Sequence, residues 1–312
     1  MDVDSSKAKV NIEFINMNRE LQKSDAAQLI VLSKKYKTEV KEAFEYQVGY
    51  CLQIGKVSNE EFAASYLVYC KDTFIQKLEK EIATRFPSTQ KSEESILDGF
   101  RFLKTHLPKA KMPQHIVFMN SLFVSNAFST EKDIAIGLER YLGAKSPSIQ
   151  RLPSEPYYDW VKEGMDALYL ERDVLASWIN AHLVKEVDGN LAEKMIRWGK
   201  VLYLTKAAFP EMDNSIIVRY AKQDYQWATE NEAFFWKYLI DQEFLFKIDE
   251  RVVQNMLSDG PFTPGLPEKA PDRLGQYLGF KMVQQYMEKS KSSFANLLKV
   301  EYNDILQEYE SE

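Results

Sequence analysis

The residues best equipped for chemistry in this chain are three histidines, two cysteines and a few carboxylates set among aromatic residues. Their spacing argues against the common sites. His106, His115 and His182 belong to no His-Glu-x-x-His run, and none pairs with another at metal-ligand spacing. His182 and Glu186 stand four apart on an expected helix, the spacing of an ordinary surface pair. Cys51 and Cys70 fit neither a Cys-x-x-Cys nor a zinc-ribbon pattern. No Gly-x-Ser-x-Gly, P-loop or Gly-x-Gly-x-x-Gly run occurs, so serine hydrolases, P-loop enzymes and dinucleotide binders lack their usual signals. No metal and no cofactor is expected.

Two constellations remain. In Thr229-Glu230-Asn231-Glu232-Ala233-Phe234-Phe235-Trp236, Thr229 and Glu232 have the spacing of a capping box that opens a helix whose aromatics enter the core. The functional alternative places Asn231 and Glu232 at a cleft. In Pro271-Asp272-Arg273-Leu274-Gly275-Gln276-Tyr277-Leu278-Gly279-Phe280, Pro and Asp suit a first helical turn. Gly275 and Gly279 each forgo about 1 kcal/mol of helix propensity, a cost that close backbone approach to a neighbour would explain. Arg273 at a helix start opposes the dipole, so it needs a carboxylate partner, Glu232 being one candidate.

The elements that must position these residues are mostly helices. Of 312 residues, 45% are hydrophobic, enough for a sizeable core without disulfides or metals. The net charge is −6 with both signs interleaved, which excludes the basic stripe of a nucleic-acid binder. No stretch reaches the ~18 apolar residues of a membrane span. The polar start, Met1 to Lys7, lacks a signal peptide's apolar core, as in a cytoplasmic protein or one whose leader has been removed.

Alternation over 10–16 predicts a strand. Ser58 with Glu61 predicts a capping box opening a helix that runs to about Arg85. The apolar run His115–Phe128 reads as a hairpin turning at Asn120-Ser121, and Asp133–Gly137 as a further strand. Pro147, Pro153 and Pro156 suggest a subdomain boundary. Helices are expected beyond it at Trp160–Leu170, Asp173–Glu186, Leu191–Phe209, Asn214–Ala228, Asn231–Phe246, Asp249–Leu257 and Asp272–Lys289. The loop Gly260–Pro271 is irregular and long enough to be functional. Cys51 and Cys70 fall on consecutive helices joined near Gly55-Lys56-Val57-Ser58, at levels roughly 10 Å apart. That is too far for a bridge, so two buried thiols are expected.

Several ordered motifs resemble the gliding-motility lipoprotein GldB family. They are Tyr141-Leu142-Gly143, Met195-Ile196-Arg197-Trp198-Gly199-Lys200, Gln226-Trp227 through Asn231-Glu232 to Trp236, and Pro271-Asp272-Arg273-Leu274-Gly275 with Leu278-Gly279. The resemblance runs from about residue 10 to the C-terminus. It implies a bacterial cell-envelope lipoprotein, lipidated on a cysteine outside this chain, facing the periplasm and linked to gliding motility and its secretion apparatus. The polar start is then a trimmed tether. More distantly, the order of sheet and helices is similar to zinc peptidases of the His-Glu-x-x-His type. That resemblance sets Ala192 and Ile196 at the two histidine positions, Glu193 at the base and Glu232 at the third ligand. A site so arranged holds no zinc.

The expected architecture is mainly α with a small β-sheet (α+β), of degenerate zinc-peptidase-like helical type. A disordered tether over 1–9 precedes an N-terminal lobe with the sheet over 10–150 and a C-terminal helical lobe over 151–312, packed as one unit. The expected role is non-catalytic binding of a protein or other envelope component, with contact to the membrane only through a lipid anchor and none to nucleic acid. The candidate surface comprises Arg197, Trp227, Asn231, Glu232, Arg273 and Tyr277. The rivals are a hydrolase using Glu193 as base and Glu232 as ligand, and a purely structural scaffold.

Overall fold

The computed structural model describes residues 5–55 and 58–311; the turn expected at Lys56-Val57 and the first four residues of the expected tether lie outside the described residues. The architecture is mainly helical with one four-stranded sheet. The chain divides into two compact units. A sheet unit comprises Lys9–Leu97 and Met112–Trp178, and a helical unit comprises Asp98–Lys111 and Ile179 to the C-terminus with the chain's first residues.

In the sheet unit, β1 (Glu13–Ile15) leads into the short helix α1 (Met17–Gln22). α2 (Ala26–Glu39) starts on a reciprocal cap between Asp25 and Gln28. α3 (Asn59–Tyr69) starts on the expected Ser58–Glu61 box, with both bonds formed. The helix does not continue to Arg85 unbroken. Asp72 accepts from the amides of Phe74 and Ile75 and so caps a separate helix, α4 (Thr73–Arg85). An aspartate that can bond the backbone ahead of it competes with helix continuation. Both cysteines are free; Cys51 is buried and Cys70 half-buried.

β2 (His115–Met119), β3 (Ala127–Ser129) and β4 (Asp133–Gly137) complete the sheet in the order β1-β2-β4-β3. β1, β2 and β4 run parallel, and only β3 is antiparallel. The expected hairpin between β2 and β3 is therefore not formed. Ile116 through Met119 are buried completely, and an apolar strand covered on both faces belongs in the middle of a parallel sheet. The chain between β2 and β3 turns through Leu122 and Phe123, both with left-handed backbone (φ 51° and 67°). That loop is pinned by Glu139, which follows β4. Its Oε1 accepts from the amides of Ser121 (3.0 Å) and Phe123 (2.9 Å) and from the Ser121 hydroxyl. Helix α5 (Leu170–Trp178) packs on β3 and β4, with the Ser177 and Ser129 hydroxyls 3.1 Å apart.

The helical unit is built on α6 (Leu191–Ala208), followed by α7 (Lys222–Glu230), α8 (Glu232–Asp241), α9 (Glu250–Leu257), α10 (Leu274–Ser290) and α11 (Tyr302–Gln307). The helix expected over Asn214–Ala228 is interrupted: Asn214–Ile217 form one turn, and Arg219 adopts φ 62° before α7 begins. α6 and α10 touch backbone to backbone. A Cβ on Gly199 would lie 2.0 Å from the Gly279 carbonyl oxygen, and one on Gly279 would lie 1.9 Å from that of Met195. A Cβ on Gly275 would lie 2.8 Å from the Met256 carbonyl oxygen, so the lost helix propensity is exchanged for closeness, as the spacing suggested.

Candidate functional site

Glu232 opens α8 and is buried at 2% exposure. Its carboxylate accepts from the Tyr277 hydroxyl (2.9 Å) on α10 and from the Tyr309 hydroxyl (2.7 Å), with the Lys281 ammonium 3.7 Å away. A buried charge held by two hydroxyls and a cation is well satisfied. Burial pushes the Tyr277 hydroxyl up, and Glu232 adds to that while Thr229 opposes it. The Thr229–Glu232 capping box does not form. Thr229 instead bonds the Tyr225 carbonyl (2.9 Å), and Glu232 turns inward because its partners lie there.

Asn231 ends α7 and precedes α8; its side chain donates to the Trp227 carbonyl (2.8 Å). The indole N–H of Trp227 is buried without a hydrogen-bond partner. Trp227 and Asn231 are thus brought together, and Glu232 and Tyr277 likewise.

Arg197 and Arg273 have separate partners. Arg197, on α6, bonds the Asn180 side chain (2.7 Å) and backbone (3.2 Å), the Lys185 carbonyl (3.1 Å) and the Glu186 carboxylate (2.6 Å). Burial pushes its guanidinium down, and Glu186 opposes this. Glu186 therefore serves an arginine.

Arg273 pairs with Asp272 and Asp259, not with Glu232: its Nε lies 3.1 Å from each carboxylate. That N–H is not aimed well enough for a hydrogen bond. A second guanidinium nitrogen donates to the Arg219 carbonyl (3.1 Å), and the group lies over the Tyr220 ring. Desolvation would lower its pKa, but the two aspartates outweigh it and hold the charge. Asp272 in turn accepts from the Gly260 amide (2.9 Å), and Thr263 bonds the Pro271 carbonyl (2.6 Å). Arg273 thus ties the Gly260–Pro271 loop to the start of α10. Its left-handed backbone, φ 50°, carries the side chain there.

Ala192 and Ile196 are buried in the helical core. Glu193 and Ile196, with Arg197 and Lys200, line a groove of about 350 Å³ closed by Val300 and Tyr302. Burial pushes the Lys200 ammonium down, against Glu301 and Glu193, and it donates to the Val300 carbonyl (2.7 Å). Neither Ala192 nor Glu232 lines that groove. Among the described residues, no group of three or more His, Cys, Asp or Glu side chains is placed to hold a metal ion.

The aromatics of α8 do not all enter the core. Phe235 is buried, but Phe234 is 51% exposed, Ile240 48%, and in the following segment Phe246 65% and Ile248 73%. The available signal was Phe246-Lys247-Ile248-Asp249, apolar residues alternating with charges after a helix end.

No described helix is long and apolar enough to cross a membrane. Comparison with curated proteins and with solved structures returns no significant match. The family comparison does: the motifs on α6, α7, α8 and α10 sit within a match over residues 1–311 to the family described as gliding motility protein GldB, and the chain belongs to that family.

Proposed function

We propose that this gliding-motility protein acts without catalysis, as a lipid-anchored envelope component facing the periplasm that docks a protein partner on α8 and the segment after it. Family membership supports the envelope setting. The observation that carries the docking surface is the grouping of Phe234, Ile240, Phe246 and Ile248 as exposed apolar side chains within one short stretch. Exposed apolar clusters rimmed by polar residues mark interaction sites. The rim carries both charges. Asp241, Glu243, Asp249 and Glu250 are exposed, as are Lys247 and Arg251, and Lys237 pairs with Asp241 at 2.7 Å. An apolar centre within a rim of both charges suits a protein surface of complementary charge pattern.

In this reading the six candidate residues are architecture beneath the docking face. Glu232 with Tyr277 fixes the start of α8, Asn231 with Trp227 sets its angle to α7, and Arg197 and Arg273 hold neighbouring segments to α6 and α10. The partner belongs to the motility apparatus or its linked secretion machinery. Against the hydrolase alternative stands the burial of Glu232, each of whose oxygens accepts from a tyrosine hydroxyl.

The test is the full-length lipidated protein carrying Phe246→Ser with Ile248→Ser, expressed in its own bacterium. Both residues are exposed, so stability should change by less than about 0.5 kcal/mol each. Partner recovered after crosslinking should fall about tenfold or more, as for central interface residues. Undiminished recovery of every partner from the doubly substituted protein contradicts the proposal.

A further inference from the structure

Lys200 ends the Met195–Lys200 motif on α6, and its charge has no counter-ion in the fold. The residue is half-buried, and its ammonium makes one hydrogen bond, to the Val300 carbonyl (2.7 Å). Glu301 and Glu193 act on it, but neither they nor any other described carboxylate forms an ion pair with it. An ammonium has three N–H donors, so two remain open. Partial burial of a cation without a paired anion is unfavourable, and burial accordingly pushes this ammonium down. Arg197, on the same helix, shows the contrast: its guanidinium is paired with Glu186 at 2.6 Å and bonded to Asn180 and the Lys185 carbonyl.

Lys200 and Val300 both line the groove of about 350 Å³ in the helical unit, so the ammonium and the carbonyl it bonds form part of its wall. Val184, Val187, Ile196 and Leu298 make the apolar part of that wall. A concave site with an apolar lining and a few polar groups is the usual form of a small-molecule site. Its charge is informative. With Arg197 paired to Glu186, the lining leaves three ammonium groups, Lys185, Lys200 and Lys299, against two carboxylates, Glu193 and Glu301, an excess of one positive charge.

We propose that this groove binds a small apolar monocarboxylate, its carboxylate accepting from Lys200 and its hydrocarbon part lying on Val184, Val187, Ile196 and Leu298. One negative charge matches the single positive excess, whereas a doubly charged phosphate is repelled by Glu193 and Glu301. No residue of the docking stretch 234–248 lines the groove, so this site does not depend on that reading.

The experiment is calorimetric titration of the intact chain with hexanoate, hexanamide, acetate and hexyl phosphate. Saturable binding of hexanoate is expected. Hexanamide keeps the chain and loses the charge, and it should bind about tenfold more weakly or worse. Acetate keeps the charge and loses the chain, with a similar loss expected. Hexyl phosphate should bind more weakly than hexanoate. Lys200→Met keeps an apolar stem without the ammonium and should weaken hexanoate about tenfold while leaving hexanamide unchanged. The comparison of hexanoate with hexanamide is made on the parent chain and so stands whatever the stability of the variant. No saturable heat with hexanoate up to about 10 mM, equal affinity for hexanamide or acetate, tighter binding of hexyl phosphate, or unchanged hexanoate affinity in folded Lys200→Met overturns the proposal.

Discussion

Gly279→Ala is expected to lower the stability of the helical unit by about 3 kcal/mol, at the severe end of overpacking effects. The added methyl would sit 1.9 Å from the carbonyl oxygen of Met195 and 2.5 Å from its carbonyl carbon. Both are helix backbone, so no rotamer change relieves the clash, and α6 and α10 must separate along their length. The gain in helix propensity, about 1 kcal/mol, does not compensate. Gly189→Ala is the control. There the methyl would meet the end of the Glu193 side chain at 1.4 Å, nominally a worse clash. A flexible carboxylate swings aside, so the cost should stay under about 1 kcal/mol. Urea unfolding of the two variants checks the contrast, and equal stabilities would contradict the packing described for α6 and α10.

Glu139→Gln should stabilise the protein above pH 7 and flatten its pH dependence. Glu139 is completely buried, and desolvation raises its carboxyl from an ordinary 4.5 to about 7, partly opposed by its bonds from Ser121 and Phe123. Its Oε2 has no partner. Unfolded, the group ionises near 4.5; folded, it stays protonated to about 7. In that interval the folded state binds the extra proton, so stability falls as pH rises. The contribution is fully present below about pH 4.5 and lost by about pH 7, worth up to about 3 kcal/mol. Glutamine retains the accepting oxygen and cannot ionise. Cys51, Tyr69 and Tyr157 feel the same carboxyl and remain in both proteins, so the difference between the unfolding curves isolates Glu139. Parallel curves for parent and variant between pH 5 and pH 8 would exclude the effect.

The features legible in the sequence were those written in local spacing. The Ser58–Glu61 box, the α6 helix from Leu191, and the paired glycines of α10 each follow from a short pattern with one physical reading. The mainly helical class and the family followed from such segments taken together. What was misread depended on partners distant in sequence. β2 and β3 looked like a hairpin because adjacency was the only available cue; pairing of β2 with β1 and β4 is decided by burial on both faces. Arg273 needs a carboxylate, for which charge alone offers Glu232 as one candidate, whereas its partners are Asp272 and Asp259, beside a left-handed backbone. Phe234 follows the aromatic pattern of a core residue, and only the packing of Phe235 inward leaves it outside. Lys200 and Val300 are separated by many residues, and no motif announces their convergence.

The central claim is that the stretch exposing Phe234, Ile240, Phe246 and Ile248 docks a protein. The most direct measurement is photocrosslinking in the native envelope, with a photoreactive side chain at position 246 and, for comparison, at the exposed Glu60 of α3. A discrete protein adduct at position 246, absent at position 60 and lost on Ile248→Ser, is the predicted result. Adducts to lipid alone at position 246, or identical adduct patterns at both positions, would contradict it.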